Sequence, residues 1–446
     1  MNLFSMLNHR EAGGQPIRVG MIGAGKFGSM YAAQAVRTPG IHLAAIVDLD
    51  PSRARENLSR VGWDENIFSM ADLETALQKR GCWITDNAAK VIEDPRLDVI
   101  VECTGHPSAA IEHCLMAFAA QKDIINVTVE ADAFCGPILA QKAREAGVIY
   151  SLAYGDQPAL ACELVDWART SGFPVIAAGR GHKWLPHYRQ STPETVWDHW
   201  GLTAEQAARG GLNPKMFNAF LDGSKPAIEC AAIANATGLY APQDGLSYPP
   251  GSADDIPTLM RPKELGGVLE RRGLVECVSS ITREGVPIAN DLRKGVWVSI
   301  EADTDYIKNC FEEYKVVTDP SGRFMSAHKK WHLIGLELGV SVASVVLRRE
   351  ATGNAVCFHA DAVARTKRPL AKGELLDGEG GTTVAGHLMN ASDSLARNAL
   401  PLGLAHDVVL IRNLPQDAIV TWDDVQITHS TSAMKLRKEL ENSFKA

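Results

Sequence analysis

Ile17-Arg-Val-Gly-Met-Ile-Gly23-Ala-Gly25-Lys-Phe-Gly28 decides the reading of this chain. An apolar run of strand length passes directly into G-x-G-x-x-G, and a helix-forming stretch follows. A second apolar run, Leu43-Ala-Ala-Ile-Val-Asp48, ends on an acid 20 residues beyond Gly28. Three glycines alone are a weak signal. Strand, glycines, helix and a spaced acid together form a dinucleotide-binding fingerprint. Gly23 permits the tight turn, Gly25 lets the backbone approach a pyrophosphate, and Gly28 lets the helix lie against the strand. The N-terminus of the helix that follows then offers unpaired N–H groups and partial positive charge to that pyrophosphate, with Lys26 and Phe27 in the glycine loop as further cofactor-binding candidates. Asp48 is placed to accept from the adenosine ribose hydroxyls, which favours NAD. Arg53 and Arg55, just beyond it, could instead hold the 2′-phosphate of NADP, so the residues leave cofactor choice open.

The same alternation continues outward. The pattern predicts strands at Ile17–Ile22, Leu43–Val47, Val99–Cys103, Ile124–Val127 and Val148–Ser151. Helices are predicted at Ser29–Val36, Pro51–Val61, Met70–Arg80, Ile111–Ala120 and Pro137–Ala146, after a polar lead-in over residues 1–16 with a helix packed on the outside. Near-continuous apolar strands separated by helices mark a doubly wound parallel sheet of Rossmann type. Thr104 and Gly105 follow the strand at Val99 and fall at the carboxyl edge, where such sheets bind ligands. Past Pro158 the character changes to a mixed α+β region. A helix over Ala159–Ser171, a strand at Val175–Gly179 and a helix over Ala227–Thr237 precede a Gly/Pro-rich surface excursion, Ala241–Pro262. A strand at Trp297–Ala302, a helix at Tyr306–Glu313 and an apolar helix over Trp331–Val346 follow. From Ala351 onward short strands with Gly/Pro punctuation suggest a small β-rich module. The expected division is 1–158, 159–350 and 351–446.

A chain of 446 residues exceeds one hydrophobic core and suggests two or three domains, and 46% hydrophobic against 22% charged residues argues against disorder. The net charge of −8 gives no basic field, so nucleic acid and anionic membrane are poor partners, although a local basic pocket for a phosphorylated small molecule is compatible with it. Nine cysteines without a C-x-x-C pair signal neither zinc nor a disulfide framework, and no apolar run is long enough to cross a membrane. A reduced, cytoplasmic setting is expected. Apolar helices such as Trp331–Val346 suggest a homodimer.

The densest polar run is Gly179-Arg180-Gly-His182-Lys183-Trp-Leu-Pro-His187-Tyr-Arg189-Gln-Ser191-Thr. Cations beside two imidazoles suit a phosphate or carboxylate and proton transfer to a carbonyl oxygen. The alternative is a solvated basic surface. Lys225 adds a cation further along. Asp156 and Glu130 fall at the predicted ligand edge, where each could bind a divalent ion or cap the following helix. Glu229 is either a functional acid or a residue of a solvated helix face.

The chain resembles the homoserine-dehydrogenase-like oxidoreductases, in particular the long bacterial branch with a C-terminal SAF domain. The resemblance is carried by Ile17–Gly28, Val101-Glu-Cys-Thr104-Gly105, Gly155-Asp156-Gln-Pro158, Asp222-Gly-Ser-Lys225, Lys183-Trp-Leu-Pro and Arg368-Pro-Leu-Ala-Lys-Gly-Glu-Leu-Leu376. Within that branch it is similar to the 1-deoxy-D-xylulose 5-phosphate reductoisomerase-like enzymes. The resemblance implies NADPH, a divalent metal (Mg²⁺ or Mn²⁺) and a phosphorylated ketose. It gives Lys183, Lys225, His182 and Asp156 catalytic roles, assigns the substrate to His187, Arg189, Arg180 and Ser191, and lets Asp156 with Glu130 hold the metal. The dense His/Arg content of the polar run departs from the homoserine enzymes, whose amino-acid aldehyde needs less positive charge. The rival readings are homoserine dehydrogenase itself, with Lys225 and Asp222 on the substrate, and a nucleotide sensor without turnover.

Overall fold

The computed structural model describes residues 2–209, 212–427 and 431–444. Six parallel strands form the first sheet, in the order β3-β2-β1-β4-β5-β6. They are β1 (Ile17–Ile22), β2 (Ile41–Val47), β3 (Trp83–Thr85), β4 (Val99–Glu102), β5 (Asp123–Asn126) and β6 (Tyr150–Leu152). The expected fold class is what forms: an α/β Rossmann-type sheet, with separate mixed and antiparallel sheets beyond it. Helices cover it because its strands are apolar on both faces; β2 is buried at every position. The three-residue β3 is too short to carry a readable period. Helix α1 (Leu3–Ala12) is not merely a polar lead-in, since Leu3 and Leu7, four apart on one helix face, join the core.

Helix α2 (Lys26–Ala35) follows β1, and α3 (Pro51–Arg60) is started by Asp50, whose side chain accepts from Ser52 and Arg53 N–H. After β4 comes α4 (Pro107–Ala119). Helix α5 was expected to begin at Pro137, but it runs Val129–Ala146 with that proline inside. The proline signals a first helical turn, yet buried Val129, Ala133 and Phe134 carry the helix two turns earlier.

By contacts the chain forms two compact units. One runs to Leu160 and takes in His332–Ala355; the other comprises Ala161–Trp331 and continues from Val356. In the first, the stretch expected as one apolar helix from Trp331 instead gives a short helix, Gly339–Ala343, and a π-turn, Ser344–Arg348. Leu338, Val342 and Val345 are buried there, while Leu333 is half exposed.

The second unit is built on a four-stranded sheet, β10-β9-β7-β8, of β7 (Val175–His182), β8 (Leu274–Ser279), β9 (Val296–Glu301) and β10 (Phe324–Lys329). Strand β7 is longer than expected, because Arg180 and His182 continue it rather than open a loop. Helix α6 (Ser224–Thr237) is buried at nearly every position, its small residues admitting close neighbours. The expected surface excursion at Ala241–Pro262 is largely interior: Ala253, Ile256 and Met260 belong to the core cluster around Trp297. Two small antiparallel sheets, one pairing β11 (Ala360–Thr366) with β13 (Val384–Asn390) and one containing β12 (Leu375–Asp377), complete the unit. A helix at Ser432–Phe444 is locked on by Arg437 and Asp361, both fully buried.

One buried acid of the first unit has a pH signature. Asp132 on α5 accepts from the Tyr150 hydroxyl at 2.9 Å, and burial pushes its pKa up to about 7. The native state therefore holds that proton more tightly than the unfolded chain. The resulting stability is complete below about pH 4 and is lost as pH rises toward 7, by roughly a few kcal/mol. Asp132→Asn keeps the acceptor for Tyr150 and should be nearly neutral near pH 4 but raise the melting temperature at pH 8. Equal melting shifts at the two pH values would refute this.

Candidate active site: a dinucleotide cradle and a cationic strand end

Gly23 has φ +102°, and a Cβ there would lie 2.7 Å from the Cys103 carbonyl oxygen. A Cβ on Gly28 would lie 2.4 Å from the Gly23 oxygen, so the first turn of α2 sits on the loop as only glycine allows. Gly25 is different: a Cβ there meets nothing within 4 Å. It is the N-cap of α2 with no side chain bonded to the helix end, so the N-terminal N–H groups stand open beside an empty approach. Lys26 is exposed and Phe27 leans half-buried on the core. The cradle fits the pyrophosphate of a dinucleotide.

Asp48 sits at the end of β2 and is almost fully buried. Its Oδ2 accepts from Ala24 N–H at 2.9 Å, and its Oδ1 from Asp50 N–H and Arg53, both at 3.0 Å. The acid thus ties the glycine loop to β2 and leaves its partner Arg53 60% exposed. Asn57 closes the loop from below, donating to the Ala24 oxygen at 2.8 Å. Thr104 and Gly105 are exposed on the turn after β4, above the buried Glu102.

The two acids expected at a metal take helix-terminal places. Glu130 lies in the first turn of α5, where the positive end of the helix favours an acid. Asp156 precedes the helix Gln157–Thr170, and its Oδ1 accepts from Gln157 N–H at 2.9 Å. Among the described residues no group of three or more His, Cys, Asp or Glu could hold a metal ion. Both acids serve helix ends, and these residues do not fit the expected ion.

In the second unit the polar run separates into three parts. Arg180 and His182 are interior. Arg180 pairs with Glu229, both 2% exposed, so Glu229 is a buried partner rather than a solvated one. The His182 ring meets the Phe220 oxygen at 2.6 Å, and burial, then the charges of Arg180, Arg293 and Lys294, hold its pKa well below the usual range. Ser191 is structural: its hydroxyl donates to Asn218 at 2.6 Å, and its carbonyl accepts from Lys367.

Lys183 leads the second part. Half-buried, it donates to the His199 carbonyl at 2.6 Å, and burial and Arg293 lower its pKa. Strand β9 runs antiparallel to β7, with Arg180 opposite Val296, so the end of β7 meets the segment that opens β9. Arg293 and Lys294 precede β9; the Arg293 charge acts on Lys183, while Lys294 lies near Arg293 and Arg180. His187 faces His199 across 5.8 Å, and Arg293 lies over the Trp200 ring at 4.9 Å. Neither Arg293 nor Lys294 was singled out from the sequence; the available signal was a basic pair directly before an apolar strand. Arg189 belongs to the third part. It turns toward Asp417, 4.0 Å away, which Arg365 holds at 3.1 Å. Lys225 sits in the first turn of α6, while nearby Asp222 is buried against Lys367 at 2.7 Å.

Residues 17–131 match the family described as the oxidoreductase family with NAD-binding Rossmann fold, and residues 155–338 match the oxidoreductase DRL catalytic domain. The chain is an NAD(P)-dependent oxidoreductase. Comparison with curated proteins gives no match. Among solved structures, a Thermotoga maritima protein described as a probable dehydrogenase is 14% identical, with 75% of this chain and 90% of that one covered and a TM-score of 0.37. A Klebsiella pneumoniae NAD-binding oxidoreductase is 15% identical, with 70% of this chain and 66% of that one covered and a TM-score of 0.32. Among the described residues of this oxidoreductase, no helix is long and apolar enough to cross a membrane.

The open space at Gly25 separates fold from function. Gly25→Ala should leave the melting temperature within a degree or two yet weaken cofactor binding about tenfold or more by occupying the pyrophosphate approach. Isothermal titration with the cofactor checks it. Unchanged affinity would place the pyrophosphate elsewhere.

Proposed function

We propose that this oxidoreductase is an NADPH-dependent reductoisomerase that converts 1-deoxy-D-xylulose 5-phosphate to 2-C-methyl-D-erythritol 4-phosphate. The observation that carries the reading is the pair of cations Lys183 and Arg293 where the end of β7 meets the start of β9, with Lys294 beside Arg293. A phosphorylated ketose needs such a concentration of donors, and an unphosphorylated aldehyde does not. The match of residues 155–338 to the DRL catalytic domain supports the same class.

Bound NADPH supplies the hydride. The chain supplies orientation and charge. Arg293, held over Trp200 and half-buried, and the exposed Lys294 receive the phosphate. Lys183 polarises the carbonyl oxygen, and its lowered pKa brings it nearer the working range of a proton donor. Lys225, at the start of α6, adds a second positive group. The neutral His182 keeps the end of β7 in register through Phe220. Arg53, exposed beside Asp48, is placed to receive the 2′-phosphate that distinguishes NADPH. The homoserine reading loses its acid, because Asp222 is buried and paired with Lys367. Our reading keeps the chain cytoplasmic and homodimeric, with residues 351–446 as an SAF-type module. The exposed Trp331, Leu333 and Leu336 support self-association.

The test is NADPH oxidation with 1-deoxy-D-xylulose 5-phosphate, with Mg²⁺ or Mn²⁺ and without, beside aspartate semialdehyde. Oxidation with the pentulose phosphate alone supports the reading; oxidation with the semialdehyde alone overturns it. Lys183→Ala should abolish turnover and leave the cofactor dissociation constant unchanged. Arg293→Ala should raise the KM for the phosphorylated substrate about tenfold or more, with a smaller effect on kcat. A KM that stays put would remove Arg293 from the phosphate site.

A further inference from the structure

Glu102 closes β4 at the carboxyl edge of the first sheet, fully buried. Both of its oxygens accept. Oε1 takes the Thr104 hydroxyl at 2.5 Å and the Thr104 N–H at 3.2 Å, and Oε2 takes the Thr128 hydroxyl at 2.5 Å. His113 Nδ1 lies 3.5 Å from Oε1. Each hydroxyl held in this way accepts a backbone N–H in turn: Thr104 from His106 at 3.3 Å, Thr128 from Gly105 at 3.0 Å. One carboxylate therefore fixes the exposed turn at Gly105, with φ +71°, together with the N-cap of α4 and the end of β5. Cys103, next in sequence, donates through its thiol to the Gly23 oxygen at 3.0 Å, so the turns after β1 and β4 are joined as well.

The sheet order places this network on the side of β1 opposite Asp48. With the adenosine end at β2 and the pyrophosphate on α2, a dinucleotide crosses the switch point and lays its ring-bearing half over β4 and β5. The geometry points to Glu102 as a positioning residue for the nicotinamide half, whose buried negative charge also favours the cationic oxidised ring over the neutral reduced one. A carboxylate in a packed interior is weakly screened, so its preference for the cationic ring amounts to about tenfold. This role follows from cofactor binding alone and is independent of the substrate.

The test is a pair of dissociation constants, for NADP⁺ and for NADPH, measured by titration calorimetry on the full chain without substrate. Glu102→Gln keeps the shape and removes the charge. It should weaken NADP⁺ about tenfold more than NADPH. An unchanged ratio, whether both forms weaken or neither does, overturns the proposal. Thr128→Val keeps the charge and cuts the link to Gly105. It should weaken both forms by a similar few-fold and leave their ratio within about twofold. This variant decides the question even if the glutamine variant fails to fold: undiminished affinity removes the positioning role, and a shifted ratio means the charge is not its source.

Discussion

Backbones that pass closer than a Cβ permits are the constraint on which both halves of this molecule depend. In the first unit it is Gly28 on the Gly23 oxygen, which seats α2 on the loop. In the second, a Cβ on Gly179 would lie 1.8 Å from the Glu276 oxygen, and one on Gly181 would lie 2.0 Å from the Leu292 oxygen. These approaches set the geometry from which the chemistry follows. The first leaves the start of α2 bare for an anion. Of the second pair, Gly181 on the Leu292 oxygen draws the segment ahead of β9 against the end of β7, which brings Arg293 to Lys183. Any larger residue at these glycines would move backbone rather than a flexible side chain, and the cost would fall on the site.

The dinucleotide cradle could be read from the sequence because everything in it is local. Gly23, Gly25 and Gly28 act on one another over six residues, and Asp48 is the next strand's end, so spacing alone carries the geometry. β1 keeps the predicted bounds, and most of its neighbours fall within a residue or two of theirs, because parallel strands buried on both faces are nearly pure apolar runs. The cationic patch is not local. Lys183 and Arg293 are more than a hundred residues apart, and only the antiparallel register of β7 with β9 unites them. Gly-Arg-Gly-His read as a loop because alternating small and charged residues usually face water. Here the charge is answered by Glu229 on α6, a partner that no spacing rule reveals. The stretch Ala241–Pro262 misled for a related reason: its prolines and glycines suppress periodicity, while Ile256 and Met260 still reach the core.

Glu102 shows a third kind of illegibility. An acid ending an apolar strand resembles an ordinary boundary marker, and nothing nearby in the sequence announces burial. Its donors come from its own turn and from Thr128, at the end of the neighbouring strand. A buried carboxylate without such donors would cost several kcal/mol. The two hydroxyls and the N–H therefore explain how the acid can be interior at all, and they hold it at the carboxyl edge of the sheet, the edge at which such sheets bind ligands.

The second unit takes the same expense repeatedly. Arg180 with Glu229, Lys367 with Asp222 and Arg437 with Asp361 are all interior pairs, and each joins segments distant in sequence. Desolvation makes such pairs poor sources of net stability, while removing one partner costs about 3–5 kcal/mol. Their common feature is which segments they join. Lys367 also donates to the carbonyls of Ser191 and Gly381, so one ammonium ties the start of α6, the end of the polar run and the turn before β13. Apolar side chains would hold these segments together as firmly, but at no fixed orientation. An ion pair with satisfied donors has one geometry. In Arg180 with Glu229 that one geometry sets β7 against α6 in a single registration, which an apolar contact would leave free to slide.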